Sequence, residues 1–365
     1  MATYMRSRFF AWQSRLRSIF HRYDADRFHL SQQKTFSRIK PPENHRGSSS
    51  IKYPVLICAG LSSAVLVQTE TNDQKDGEKE KQKDSPVINF FKMARLAQMK
   101  QDEEKAITYL HKALTAADDE FKHNRMSEKD YIYARINVFD SLANIALAKG
   151  EYTKAEKLFK ETMKGCLEVG ITKTDNAMVE MSIKLASIYA MQKREDEAVR
   201  GYEFCIETQN EKVKDPECDI DSLALLGIAL ESYGRYLLYH KNLEKSLVML
   251  TRAVEVAKTT LGESGMQTLV LMNDLATVYI LKKDFEKAEA LLKQAIETGE
   301  KVESTHCPAL YCNLGAVYLR KSQLSDTEMA CKHGLQLAKK YKDKLAIEQA
   351  KICLNKVKEM KKKGF

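Results

Sequence analysis

The stretch SIKLASIYAMQKREDEAVRGYEFCI, residues 182–206, carries two apolar stripes separated by a short polar turn. Leu185, Ala186 and Tyr189 share one face of a first helix, and Ala198, Tyr202 and Cys205 share one face of a second. Small Ala186 and Ala198 mark the point where two antiparallel helices would cross, because larger side chains there would hold the backbones apart. Large residues fill the space beside the crossing.

The same arrangement recurs along the chain. Small residues stand in pairs 12 positions apart: Ala94 and Ala106, Ala143 and Ala155, Ala186 and Ala198, Gly234 and Ser246, Ala276 and Ala288, Gly315 and Thr327. Successive units start 39 to 49 residues apart, so the crossing is constant and only the exit from each second helix varies. Large, small and aromatic residues one turn apart, followed by a small residue and then a large one, form the tetratricopeptide pattern. One such unit cannot bury its apolar face alone, so the copies are expected to stack into an all-α tetratricopeptide-repeat solenoid of about six helix hairpins. A last helix through Leu345, Ile352 and Leu354, with the basic run Lys361 to Lys363, would supply the capping helix.

These units are longer than the usual tetratricopeptide. Their extra residues would extend each second helix or lengthen the return loop. The expected organisation is a leader over 1–53, an apolar segment over 54–69, a charged linker over 70–85, repeats over 86–344, and a capping helix with a basic tail over 345–365.

The net charge of +9 suggests nucleic acid until it is located. Residues 1–53 hold 11 Lys or Arg against 3 acids, and the other 48 basic residues meet 47 acidic ones. The repeat region therefore has no electrostatic basis for binding a polyanion, and nucleic acid is not expected as a partner. Eight cysteines at irregular spacing, with no C-x-x-C, read as small buried apolar residues in a reducing or redox-neutral setting. They do not form a disulfide framework in this reading.

Residues 1–23 contain Arg6, Arg8, Arg15, Arg17 and Arg22 and no acid, while Phe9, Trp12, Leu16, Ile19 and Tyr23 recur at helical spacing. That composition is expected of a mitochondrial transit peptide. From Tyr53 to Thr69 there are 17 residues without a charge. As a helix they would reach about 25 Å, just short of a bilayer's apolar thickness. Two readings stand: a membrane span or anchor, and an apolar part of the leader lost on processing. The polar tether ETNDQKDGEKEKQKDS that follows, residues 70–85, favours the first.

Catalytic chemistry finds no support in the sequence. There is no phosphate loop, no G-x-S-x-G and no H-E-x-x-H. His306, Cys307 and Cys312 match no common zinc spacing, and Pro308 would start a helix between the cysteines. No enzyme activity, cofactor, metal or small-molecule substrate is expected. Binding remains.

First-helix positions of stacked units would line a concave groove with Asn137, Asp140, Asn144, Glu180, Ile183, Ser187, Glu231, Arg235, Leu238, Asn273, Thr277, Ile280 and Ala316. A mixed polar and apolar lining suits an extended or helical peptide. The clamp that co-chaperones use for a terminal carboxylate would fall on Asp140, Ile183, Glu231 and Asn273, which repel or ignore an anion.

The runs DNAMVEMSIKLASIYAMQKREDEAVRGYEFCIE (175–207), GRYLLYHK (234–241) and GESGMQTLVLMNDLATVY (262–279) resemble the mitochondrial tetratricopeptide repeat protein 19 family over about residues 86–350. The resemblance implies a non-enzymatic inner-membrane protein. It also implies association with subunits of respiratory complex III, including the Rieske iron-sulfur protein, in support of assembly or maintenance. An alternative comes from Leu261, Gly262, Thr268 and KDFEKAEALLKQAIE (283–297), which resemble kinesin light chains, cytosolic adaptors for cargo peptides. The chain lacks their long heptad coiled coil, and its basic start argues against that role.

Overall fold

The computed structural model describes residues 85–362. The leader, the apolar segment and nearly all of the charged linker lie outside the described residues. Among those described there are thirteen α-helices and no strand. They are α1 (Pro86–Met99), α2 (Glu103–Lys122), α3 (Glu128–Ala148), α4 (Tyr152–Glu168), α5 (Asn176–Met191), α6 (Glu195–Lys212), α7 (Ile220–Tyr239), α8 (Leu243–Leu261), α9 (Met266–Leu281), α10 (Phe285–Lys301), α11 (Cys307–Arg320), α12 (Leu324–Tyr341) and α13 (Lys344–Lys362). The second helices of the six hairpins run 17 to 20 residues, so the extra length of each unit includes added helical turns. No described helix is long and apolar enough to cross a membrane.

The chain divides into two compact units between Gly201 and Tyr202, inside α6. In the first unit each core cluster draws on consecutive helices. Ala94 of α1, Leu110 of α2 and Leu142 of α3 meet in one. Leu147 of α3, Phe159 of α4 and Met181 of α5 meet in the next. Burial in that unit is thus shared across hairpins, because one hairpin offers too little apolar area to offset its own ordering.

The small residues sit at the closest approaches. Ala106, Ala143, Ala155, Ala186 and Ala198 are wholly buried in the first unit, with Ala94 nearly so. Just past that crossing, a Cβ on Gly201 would lie 2.8 Å from the Ala186 Cβ, so two backbones nearly touch there. In the second unit Ser246 Oγ donates to the Gly234 carbonyl at 2.8 Å, and a Cβ on Gly234 would lie 2.8 Å from Leu250 Cγ. Ala276, Ala288 and Thr327 are also wholly buried, and a Cβ on Gly315 would overlap the Cys331 sulfur.

All six turns inside hairpins share one geometry, although their sequences differ. Gln101, Gly150, Lys193, Lys241, Lys283 and Ser322 adopt φ of 60 to 76°. The residue after each returns its N–H to a carbonyl five positions back, as Asp102 does to Ala97 and Asp284 to Tyr279. That is the Schellman ending, which satisfies carbonyls left over at a helix C-terminus. The same following residues begin the second helix, and Asp102, Asn242 and Asp284 cap it with their side chains. Asp175 caps α5 in the same manner.

Two expectations are corrected. Cys331 on α12 and Cys353 on α13 form a disulfide, with Cα atoms 6.3 Å apart, so these two are not free apolar residues. The last helix also turns a different face inward. Ala346, Ala350, Cys353 and Val357 are buried, while Leu345 is exposed and Ile352 and Leu354 are half-buried. A disulfide requires its two backbones to lie close, and small residues allow that approach where leucine would not.

Candidate functional site

In the first unit the first-helix face of α3 carries Asn137, Asp140 and Asn144, and that of α5 carries Glu180, Ile183 and Ser187. The spacing of three and four residues puts each trio on one stripe. All but the half-buried Glu180 are buried. Asn137 donates its amide to the Tyr133 carbonyl at 2.9 Å, and Asn144 donates to the Asp140 carbonyl at 2.7 Å. The amide oxygens of both asparagines are buried without a hydrogen-bond partner. Ser187 is satisfied by the Ile183 carbonyl. Beside it Lys184, almost wholly buried, pairs with Glu180 at 2.7 Å and lies over the Phe159 ring. On the α3 stripe the two asparagine oxygens are acceptors that lack a donor.

The second unit is arranged differently. Arg235 on α7 pairs with Glu231 one turn earlier at 3.0 Å and reaches Asp274 on α9. Gln267 of α9 donates back to Glu231 at 2.5 Å, and Asn313 of α11 donates to Asn273 of α9 at 2.8 Å. Three successive first helices are joined by side-chain polar contacts. Glu231, Arg235 and Asn273, placed on a binding surface by the sequence, therefore hold neighbouring repeats together. Thr277 closes onto the Asn273 carbonyl, and Leu238 and Ala316 are buried. Ile280 stays half-buried at the helix end.

A second device joins repeats near the turns. The residue at or beside the end of a first helix reaches back to an acid on the second helix of the preceding hairpin. Lys149 meets Glu103, Arg194 meets Glu156, Lys282 meets Glu244 and Lys321 meets Glu289. Arg194 holds both carboxylate oxygens of Glu156 at 2.8 and 2.9 Å while stacking on Tyr189. Burial of Glu156 opposes ionisation, yet hydrogen bonds from Lys160 and Arg194 hold its carboxyl below the ordinary range. Hydrogen bonds from Lys293 and Lys321 do the same for Glu289. In the sequence these pairs do not stand out, because basic and acidic residues on helix surfaces are common. Their only signal is recurrence at equivalent positions of successive units.

Among the described residues no three His, Cys, Asp or Glu side chains converge as a metal site would require. Cys307 packs beside Gly299, while Cys312 points its sulfur at the Ala346 carbonyl, 3.7 Å away. Burial pushes the Cys205 and Cys312 thiols up to about 12, and those of Cys166 and Cys307 up to about 11. They remain protonated at neutral pH and are poor nucleophiles. The arrangement offers hydrogen-bond acceptors and apolar contact, which suit a polypeptide.

Comparison with known proteins follows the same line. The family model described as tetratricopeptide repeat matches residues 226–301. Human "Tetratricopeptide repeat protein 19, mitochondrial" is 34% identical over 275 residues, covering 73% of this chain and 70% of that protein. The mouse protein of that name is 31% identical, with 76% of each chain covered. The Drosophila melanogaster homologue, also named mitochondrial, is 27% identical over 77% of this chain and 74% of its own length. Among solved structures, BtubC (BKLC) from P. vanneervenii superposes with a TM-score of 0.54 at 17% identity, covering 66% of this chain and 92% of that one. The apo form of RapI gives 0.53 at 12% identity, with 71% and 79% covered. At such identities the structures speak for the fold alone.

Proposed function

Since this chain belongs to the mitochondrial tetratricopeptide repeat protein 19 family, we propose that it is a non-enzymatic scaffold that associates with respiratory complex III and supports its assembly or maintenance. The handling of the Rieske iron-sulfur subunit is the step it serves, and residues 54–69 tether it to the inner membrane. The family resemblance supports the complex III assignment, and the Arg-rich, acid-free start supports import into the mitochondrion.

One observation carries the polypeptide-binding part of this reading. Asn137 and Asn144 present buried amide oxygens with no donor on the first-helix stripe of α3. An orphaned buried acceptor costs about 1–3 kcal/mol, so a fold selected for stability alone would remove it. A bound segment's backbone N–H groups complete these oxygens once the amides turn toward it. The side chains of α7, α9 and α11 that bond to one another keep the stack rigid.

Crosslinking mass spectrometry on intact mitochondria tests the reading. Lysines of the repeats should crosslink to complex III subunits, and the chain should comigrate with that complex on native gels. Comigration with no respiratory complex, together with unchanged Rieske protein levels when the chain is absent, would overturn it. Cytosolic residence with motor association would replace it by the cargo-adaptor reading.

A further inference from the structure

Helix α1 is the end of the repeat array nearest the N-terminus, and its outward face is unusual. Met93, Leu96 and Met99 are 42, 55 and 69% exposed, three large apolar side chains within seven residues. Elsewhere among the described residues such side chains stand singly or at opposite ends of a helix. Exposed Lys92, Arg95 and Lys100 interleave with them, and no acid occurs between Pro86 and Gln101. At 100° per residue, all six fall within about 160° of the helix surface. The opposite side, through Val87, Ala94 and Ala97, is buried in the first hairpin. The next acids along the chain, Asp102 and Glu103, are engaged by Lys105 and Lys149.

A terminal repeat that ended in water would be expected to show a polar outer face. An apolar stripe flanked by bases and free of acids has instead the composition of a helix lying at a lipid interface. We infer that α1 docks on an anionic bilayer surface. Met93, Leu96 and Met99 enter the headgroup boundary, while Arg95 and Lys100 meet lipid phosphates. This deepens the membrane placement proposed above and rests on residues 54–69 being the tether. The polar stretch 70–85 is 16 residues long and can reach at most about 55 Å, so α1 cannot travel far from the bilayer that anchors it. Tethering raises the local lipid concentration enough for a weak interfacial contact to persist.

The test uses the full chain reconstituted into vesicles that carry a lipid with a photoreactive acyl chain. One set is phosphatidylcholine and the other adds phosphatidylglycerol. Adducts are mapped by peptide mass spectrometry. Labelling within residues 86–100 should be on the order of tenfold stronger in the anionic vesicles, from two basic residues at the surface. The variant M93S/L96S/M99S should lose α1 adducts and keep those at 54–69. Should that variant misfold, R95E/K100E keeps the apolar stripe and should drop to the phosphatidylcholine level. Adducts at 54–69 with none on α1 overturn the docking and leave the tether standing. No adducts in either segment sink both. Equal labelling in the two vesicle types, or crosslinking of α1 to protein in place of lipid in whole mitochondria, also overturns it.

Discussion

Arg235 and Asp274 lie 39 positions apart on consecutive first helices, and the Arg235 guanidinium holds one carboxylate oxygen of Asp274 through Nε at 2.7 Å and Nη2 at 2.6 Å. The same guanidinium carries Glu231, so one cation balances two acids that are both about nine-tenths buried. The interaction sits between hairpins, which makes it part of the stack itself.

Arg235→Ala leaves Glu231 and Asp274 facing one another without a cation. Breaking a buried pair in this way typically costs 3–5 kcal/mol, and the partial exposure of Arg235 argues for about 3. Urea titration of the variant and of R235A/D274A checks it. The double variant should recover part of the loss. An unchanged midpoint for the single variant would show that the pair contributes nothing.

The hairpin turns carry unfavourable backbone. Gln101, Lys193, Lys241, Lys283 and Ser322 are exposed side chains in the left-handed region. That conformation costs an ordinary residue roughly 1–2 kcal/mol, against about 0.5–1 for the extra chain entropy of glycine. Replacing all five by glycine should therefore stabilise the protein by about 2.5–5 kcal/mol, read as a higher melting temperature.

Among the described residues, cysteine accessibility should sort into three classes. Native alkylation should modify half-buried Cys218 and spare buried Cys166, Cys205, Cys307 and Cys312 until unfolding. Cys331 and Cys353 should react only after reduction and unfolding. Closing a loop of 22 residues, their bond should contribute about 3 kcal/mol, lost on adding dithiothreitol. Peptide mapping and denaturation with and without reductant check both.

Asn144→Leu separates binding from folding. It removes a buried oxygen without a partner, so stability should hold or rise by about 1 kcal/mol. Under the proposed function, recovery of complex III subunits with the variant should fall. Undiminished recovery would place the contact off the α3 face.

Acid should loosen the last helix. Hydrogen bonds from Lys332 and Lys361 depress the Glu328 carboxyl from 4.5 to about 2. A depressed carboxylate stabilises the fold above its unfolded value, and that contribution is lost as pH falls from about 4.5 to about 2. Both partners are largely solvated, so the effect is local. Protection of α13 amides from hydrogen exchange in the reduced protein, corrected for the intrinsic rate at each pH, should fall across that window. Lys361→Gln should shrink the pH dependence.

Residue identity alone made the hairpins legible, because the crossing is a steric demand on two positions 12 apart. Gly234 with Ser246 and Gly315 with Thr327 met that demand as well as the alanine pairs did. The inward face of α13 was not legible in the same way. Hydrophobicity pointed to Leu345, Ile352 and Leu354, whereas proximity of backbones selected Ala346, Ala350 and Cys353. The turns were also hidden, since only Gly150 announces a left-handed residue and five others adopt it under the constraint of the hairpin.

The sequence by itself determined the helix pairs and their small-residue crossings, because each rests on spacing within some forty residues. The runs 175–207, 234–241 and 262–279 carried the family resemblance. Only the tertiary structure decided which polar residues of the first helices are engaged and which are left over. Arg235, Asp274, Asn273 and Asn313 find partners only when one hairpin lies on the next, while Asn137 and Asn144 keep oxygens that no neighbour reaches. Hydrogen bonding acts over about 3 Å, and no pattern along a chain reports which residues folding brings within that distance.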